Sequence, residues 1–238
     1  MTISVLMAVY NREDTIEDAI LSIVTQLTSE DELIISDDSS TDGTLDICTR
    51  LAKQYPVIKI FHHDRCGIDE NMFFLFNLAS KDICIINDSD DISLNNRISV
   101  IKELFLTHPN CNCIYHNAKI IDEAGNITND NFFIKFQQKN NFFNMMLHST
   151  FFGACMAFRT SFAKQVIAKV RGKYNLAWDK SLGFLSKRSN SLLFLPSERL
   201  LLYRRWSDNA SKSNRKLIDK IKEKLTVMKL YFFSKKIR

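Results

Sequence analysis

The chain has 238 residues, 45% of them hydrophobic and 25% charged, which suits one large or two small globular domains and is too apolar for a disordered chain. Its net charge of +5 divides unevenly: residues 212–238 hold ten Lys/Arg against two acids, a net of +8, and the rest of the chain is −3. No apolar run nears the roughly 20 residues needed to span a bilayer, and six glycines and three prolines exclude collagen-like or proline-rich character.

The order of elements begins with Ile3-Ser4-Val5-Leu6-Met7-Ala8-Val9, a run that suits a strand buried on both faces of a parallel sheet. The opening segment lacks the basic start of a signal peptide. It ends in the polar loop Tyr10-Asn11-Arg12. Asp14-Thr15-Ile16-Glu17 has a capping pattern, and Ile16, Ala19, Ile20, Ile23, Val24 and Leu27 follow at helical spacing. Glu32-Leu33-Ile34-Ile35-Ser36 reads as a second strand, closed by the polar turn 37–43, which caps a helix to about Tyr55. A third strand over 57–61 and a helix over 68–79 lead to a fourth strand, 83–86, that stops at Asn87-Asp88-Ser89-Asp90-Asp91. His62 and His63 read as loop residues. The alternation predicts an α/β fold with a mostly parallel central sheet and helices on both faces.

The second half is less regular. Residues 111–117 and 152–158 read as strands, 120–127 as a hairpin around Gly125, and 161–170 as a helix. A further helix opens at Trp178-Asp179, and a strand covers 192–203. Residues 129–150, rich in Asn and Phe, give no period. No Ser/Gly-rich linker divides the halves, so one domain is expected over 1–211, with a nucleotide-binding half over about 1–91 and an acceptor half over about 92–211. The six cysteines, Cys48, Cys66, Cys84, Cys111, Cys113 and Cys155, lack C-x-x-C spacing. Most sit in apolar stretches, so reduced thiols in a cytoplasmic setting are expected.

Ligands of open α/β sheets bind at the carboxyl ends of the strands. The polar clusters at 10–13, 37–42 and 87–91 all follow strands, so they share that rim. If the chain stays extended, Asp88 and Asp90 point the same way and Asp91 elsewhere. Two convergent carboxylates repel unless a cation lies between them, and an oxygen-only set favours Mg²⁺ or Mn²⁺. The competing reading is a solvated turn whose Asp caps the next helix. For Asp37-Asp38 the choice is between an acceptor for a base N–H and an Asx-turn.

Residues 3–46 resemble the opening of the family 2 glycosyltransferases of the GT-A fold: a strand ending in Tyr-Asn, a helix, then a strand ending in Asp-Asp-x-Ser-x-Asp-Gly-Thr. Gly67-Ile68-Asp69-Glu70-Asn71 resembles that family's Gly-x-x-x-Asn, and Ile85 to Asp91 its strand with a D-x-D motif. Residues 153–159 resemble its G-x-x-M-x-x-R strand, and Trp178-Asp179 falls where the family carries a catalytic Asp. Residues 201–209, which contain Tyr203-Arg204-Arg205-Trp206-Ser207-Asp208-Asn209, resemble its closing Tyr-Arg-x-His-x-x-Asn, with Trp206 in place of the His.

The resemblance implies an inverting transfer from a UDP- or dTDP-sugar to a saccharide acceptor, as in bacterial O-antigen, capsule or lipooligosaccharide synthesis. It implies that Ala8, Tyr10, Asn11 and Asp38 hold the nucleoside, with Asn71 nearby and Asp88 at the ribose. Asp90 would ligate Mn²⁺ or Mg²⁺ with help from Asp88, Arg204 would face the diphosphate, and Asp179 would be the general base. Trp206 cannot ligate a metal, which keeps open a catalytically weak or inactive binding subunit of an assembly complex.

In the tail, Leu217, Ile218, Ile221, Leu225, Met228 and Phe232 recur at helical spacing among lysines. A basic amphipathic helix over 212–238 suits the inner face of the cytoplasmic membrane, where lipid-linked acceptors would lie. The same stripe could instead pack on the domain or dimerise. A nucleic-acid partner is not expected, because the body is acidic and lacks an aromatic-basic sheet motif. A phosphorylation-switched receiver is disfavoured because its acidic pair would follow the first strand.

Overall fold

A computed structural model describes residues 1–148, 151–206 and 217–233. The elements are β1 (Ile3–Val9), α1 (Ile16–Val24), β2 (Glu32–Asp37), α2 (Thr44–Gln54), β3 (Ile58–His62), α3 (Ile68–Leu78), β4 (Ile83–Ile86), β5 (Ile92–Ser93) and α4 (Arg97–Thr107). They continue with β6 (Cys113–Ile121), β7 (Ile127–Asn129), α5 (Phe132–Lys135), α6 (Phe142–Leu147), β8 (Met156–Arg159), α7 (Thr160–Val170), α8 (Trp178–Arg188), β9 (Leu192–Arg204) and α9 (Leu217–Phe233).

One sheet runs through both halves in the order β3-β2-β1-β4-β8-β6-β9-β5, with β7 on β6. The first four strands pair in parallel, as the alternating pattern predicts. β8 reverses direction against both β4 and β6. β9 is parallel to β6, and β5 antiparallel to β9. The sheet is therefore mixed, with the parallel set forming the half that ends in the three acidic or polar loops.

Period-2 patterning decides which layer each residue joins. In β1, Ile3, Val5, Met7 and Val9 face the layer of α1, α2 and α4. Leu6 faces the layer of α3, α7 and α8, around Phe76, Phe158 and Trp178. β4 divides the same way, Ile83 and Ile85 to the first layer and Cys84 and Ile86 to the second. At the opposite end from the rim, the buried Glu32 carboxylate accepts hydrogen bonds from Ser4 Oγ, Lys59 Nζ, and the Ser80 amide and hydroxyl. These bonds hold its pKa down at about 2 against the cost of burial.

Several expectations change. The capping box at 14–17 does not form: Thr15 is the N-cap of α1 without a side-chain cap bond, and its hydroxyl donates to the Ser89 carbonyl, 3.1 Å away. The strand expected over 152–158 is a short 3-10 turn, Gly153–Cys155, followed by β8. The strand expected over 111–117 runs instead from Cys113 to Ile121. Residues 129–150 hold the two short helices α5 and α6, each N-capped by an Asn side chain. α4 and β5 had no sequence reading. The first residue of α4, Arg97, is 1% exposed and donates to the Ile86 and Ala154 carbonyls, Asn87 Oδ1 and His116 Nε2. It ties β4, β6 and the 153–155 turn together beneath the acidic loop. A buried guanidinium is tolerated there because its donors meet acceptors.

The tail helix does not bury the stripe that its sequence singles out. Val227 and Leu230 are buried, Tyr231 lies against Phe142 with ring centroids 4.2 Å apart, and Lys180 pairs with Glu223. Ile218, Ile221, Leu225, Met228 and Phe232 face outward. The helix carries two apolar stripes: one seats it on the domain and the other is exposed. No helix among the described residues is long and apolar enough to cross a membrane.

Candidate active site

The rim collects the ends of β1, β2 and β4 with the start of α8. Register alone brings the first two together: Val9 pairs with Asp37, and the Asp38 amide donates to the Val9 carbonyl at 2.9 Å. Asn11 then fastens the two loops. Its Oδ1 accepts from the Thr41 amide at 2.8 Å and its own amide donates to Ser40 Oγ at 3.0 Å. Asn11 and Ser39 both take left-handed backbone angles, φ 48° and 63°, a strain that loops at functional sites commonly carry.

Asp37 has the Asx-turn role: Oδ2 accepts from the Ser40 amide and from His62 Nδ1, at 3.1 and 2.8 Å. Asp38 is 5% exposed and accepts from the Cys66 and Gly67 amides, at 2.6 and 3.0 Å. Gly67, at φ 85°, gives the chain the left-handed step that turns both amides inward before α3. Asn71 is buried. Its amide nitrogen donates to the Ser36 carbonyl, and its oxygen lies 3.3 Å from His63 Nε2, so it secures a wall. Ala8 sits at the end of β1 beside Ser36. Tyr10 lies under the Arg65 guanidinium, 3.8 Å from ring centroid to Cζ, and its hydroxyl accepts from Arg65.

The acidic loop after β4 is a turn: the Asp91 amide donates to the Asp88 carbonyl at 3.2 Å. The extended geometry expected for Asp88-Ser89-Asp90 is thus absent, because β4 ends at Ile86. The turn still gathers charge. Burial, then Asp90, then Asp179 raise the pKa of Asp88. Burial, then Asp90 and Asp88, raise Asp91 further. Asp91 Oδ1 accepts from the Arg204 amide at 2.8 Å, while its Oδ2 is buried without a hydrogen-bond partner. Asp179, in the first turn of α8, is pushed up to about 7 by burial, against the pull of Lys180.

An oxygen-only donor set in mutual repulsion fits a hard divalent cation. Asp90 and Asp88 are the residues that would hold it. Asp90 Oδ2 already accepts from Trp206 Nε1 at 2.8 Å and lies 3.7 Å from Arg12 Nε.

Two basic residues exchange the positions expected of them. The Arg204 guanidinium donates to the Asp90, Asp122 and Glu123 carbonyls, so it braces the acidic turn against the β6–β7 hairpin. That leaves it poorly placed to face a diphosphate. Arg12, which sequence reading left as a loop residue, lies at the rim against Asp90 and over the Trp206 ring, 5.9 Å away. The signal was its place directly after Tyr10-Asn11. Asp179 is positioned through its neighbour: the Trp178 ring lies under Gly153, where a Cβ would come within 2.3 Å of it. Ser207, Asp208 and Asn209 of the closing motif lie outside the described residues, as do 212–216 and 234–238 of the tail.

A mixed α/β sheet with an acidic turn at the carboxyl ends of its parallel strands is the arrangement of the GT-A class of folds. Residues 4–167 match the model of Glycosyl transferase family 2, and the chain belongs to that family. The dTDP-rhamnosyl transferase RfbG of Shigella flexneri is 31% identical over 144 residues, 54% of this chain and 50% of that protein. The chain spans about half the length of the curated relatives it matches. S. aureus TarS 1–349, solved with UDP-GlcNAc, superposes with a TM-score of 0.71 at 17% identity, covering 91% of this chain and 62% of that one. The mannosyltransferase PcManGT of Pyrobaculum calidifontis, solved with GDP-Man and Mn²⁺, gives 0.59 at 16% identity, covering 89% and 58%. At these identities the two structures show the fold.

Proposed function

We propose that the chain is an inverting glycosyltransferase that moves a sugar from a UDP- or dTDP-linked donor to a saccharide acceptor. The acceptor is lipid-linked and part of a bacterial surface polysaccharide or lipooligosaccharide. The observation that carries this reading is the electrostatic convergence of Asp88, Asp90 and Asp179 on one rim of the sheet. The dTDP-rhamnosyl transferase among the relatives supports the donor class.

In this reading residues 1–91 hold the nucleotide and 92–211 the acceptor. Ala8, Tyr10 and Asp38 border the nucleoside, with Asn11 fixing the loop and Asn71 the wall. Asp88 lies nearest the ribose. When bound, Mn²⁺ or Mg²⁺ on Asp90 and Asp88 supplies positive charge that neutralises the diphosphate as it leaves. Arg12 adds the nearest protein cation, while Arg204 holds the acidic turn in place. Asp179 takes the proton from the acceptor hydroxyl. That oxygen forms the new bond to the anomeric carbon as the bond to the diphosphate breaks, in one displacement with inversion.

The outward stripe of α9, flanked by Lys220, Lys222, Lys224 and Lys229, suits the anionic inner face of the cytoplasmic membrane. Release of free nucleoside diphosphate from a panel of UDP-, dTDP- and GDP-sugars, with and without Mn²⁺, tests the enzyme reading. Turnover that Asp179→Asn abolishes while nucleotide binding persists supports it. Nucleotide binding without turnover on any donor favours a binding subunit, the reading that the Trp206 bond to Asp90 keeps in play.

A further inference from the structure

On the rim, between the end of β2 and the start of α3, three side chains of different chemistry meet. Asp38, His63 and Cys66 each direct one donor atom into a common space, and the three atoms lie within 4.8 Å of one another. We propose that they form a binding site for a late first-row divalent cation, Zn²⁺ foremost, with a fourth position open to water.

The spacing carries the argument. Zn–S, Zn–N and Zn–O bonds of about 2.0–2.3 Å at tetrahedral angles put the donors about 3.4–3.6 Å apart. His63 Nδ1 is 3.7 Å from Asp38 Oδ1 and 3.8 Å from Cys66 Sγ. Only small side-chain shifts separate the present arrangement from a coordination shell. The oxygen-only acidic turn suits Mn²⁺ or Mg²⁺, whereas a thiolate with imidazole and one carboxylate selects zinc-like ions.

The histidine has partners that allow the tautomer ligation needs. Asn71 Nδ2 donates to the Ser36 carbonyl, which fixes Asn71 Oδ1 as the atom that faces His63 Nε2, 3.3 Å away. Nε2 also lies 3.1 Å from Ser36 Oγ and Nδ1 2.9 Å from the Asp64 carbonyl, so without a metal Nδ1 carries the proton and donates to that carbonyl while the Ser36 hydroxyl can donate to Nε2. Outer partners of this kind set the tautomer of metal-bound histidines. A cation at Nδ1 would displace that proton, and the ring would then carry its proton on Nε2, where Asn71 Oδ1 and Ser36 Oγ can accept it. The Asp38 carboxylate is held rigid by the Cys66 and Gly67 amides, so the site needs little ordering on binding.

The site stands on its own geometry. Its consequence rests on the transfer reading above: Asp38 borders the nucleoside there, so zinc and the donor's base would compete. Co²⁺ is the probe for the full chain. The expected result is a thiolate-to-cobalt charge-transfer band that Zn²⁺ displaces. The band is lost in Cys66→Ser, and His63→Ala weakens binding at least about tenfold. Co²⁺ at the acidic turn gives no such band, because the thiol nearest that turn, Cys155, is fully buried. Five of the six cysteines are buried, so Zn²⁺ protection of the native chain from iodoacetamide reads Cys66 alone and covers any folding defect of the variants. No charge-transfer band, or alkylation of Cys66 unchanged by Zn²⁺, overturns the site. With the band present, failure of UDP and dTDP to weaken it leaves the site standing and removes Asp38 from the base pocket.

Discussion

Asp179 shows how one side chain acquires a task from its surroundings. Burial raises its carboxyl to about 7, with Asp69 and Glu223 adding to the shift and Lys180 opposing it. A base must be ionised, so kcat/KM should rise about tenfold per pH unit up to about pH 7 and level off above it. A profile flat from pH 5.5 to 8.5 would remove Asp179 from proton transfer. Asp179→Asn should cost at least about 100-fold in kcat/KM. Because the raised pKa means that ionising Asp179 opposes folding above the unfolded value of 3.8, the variant should keep or raise Tm at pH 8. Loss of both activity and Tm would point to a structural role. Trp206 offers a second test. Its indole holds one oxygen of Asp90, and a hydrogen bond to a charged group contributes about 1.5–3 kcal/mol. Trp206→Phe should therefore tighten Mn²⁺ binding, by roughly tenfold or more, in a calorimetric titration. Unchanged affinity would place the ion away from Asp90.

At the scale of elements, legibility in the sequence followed periodicity. β1, β2 and β4 are regular because each is buried on both faces, β3 is a half-exposed edge strand, and α1 to α3 each bury one face, so composition and spacing agree. The rim loops were legible for the same reason, since a buried strand that stops at the polar run 87–91 places that run at its carboxyl end. What was hidden depends on contacts between distant residues. β5 is two residues long and exists through Ile92 and Ser93 pairing with β9. α4 begins at a buried Arg, against the rule that charges lie outside. Arg204 is buried against the Asp90, Asp122 and Glu123 carbonyls and Arg12 is half exposed beside the Asp90 carboxylate, a difference of distant neighbours that local sequence does not encode. At the base of the sheet, Glu32 contributes stability that is present above the unfolded pKa of 4.5 and lost as pH falls toward 2. Glu32→Gln should lower Tm most at neutral pH and least near pH 2.5. A uniform decrease across that range would mean that packing, not charge, matters there.

Over the whole molecule the +5 net charge resolves into an acidic rim and a basic helix with one apolar stripe buried and one exposed. Leu230 is fully buried against the domain and Ile221 and Leu225 are exposed. Leu230→Ala should cost about 2–5 kcal/mol in denaturant unfolding. Ile221→Glu with Leu225→Glu should leave Tm within about 1–2 °C while reducing binding to vesicles of anionic phospholipid at least tenfold. Equal vesicle binding by wild type and double variant would leave the outward stripe without a lipid role.

The bond from the Arg204 amide to Asp91 spans 113 residues, and the Arg204 side chain reaches Asp90 across 114. During synthesis, the parallel half of the sheet is complete more than a hundred residues before its acidic turn finds these donors. A nascent or truncated chain ending near residue 167 would have the motif without β9, without α8 and without Asp179. If Asp179 is the base as proposed, the rim is completed late in translation, and a chain clipped there should transfer no sugar.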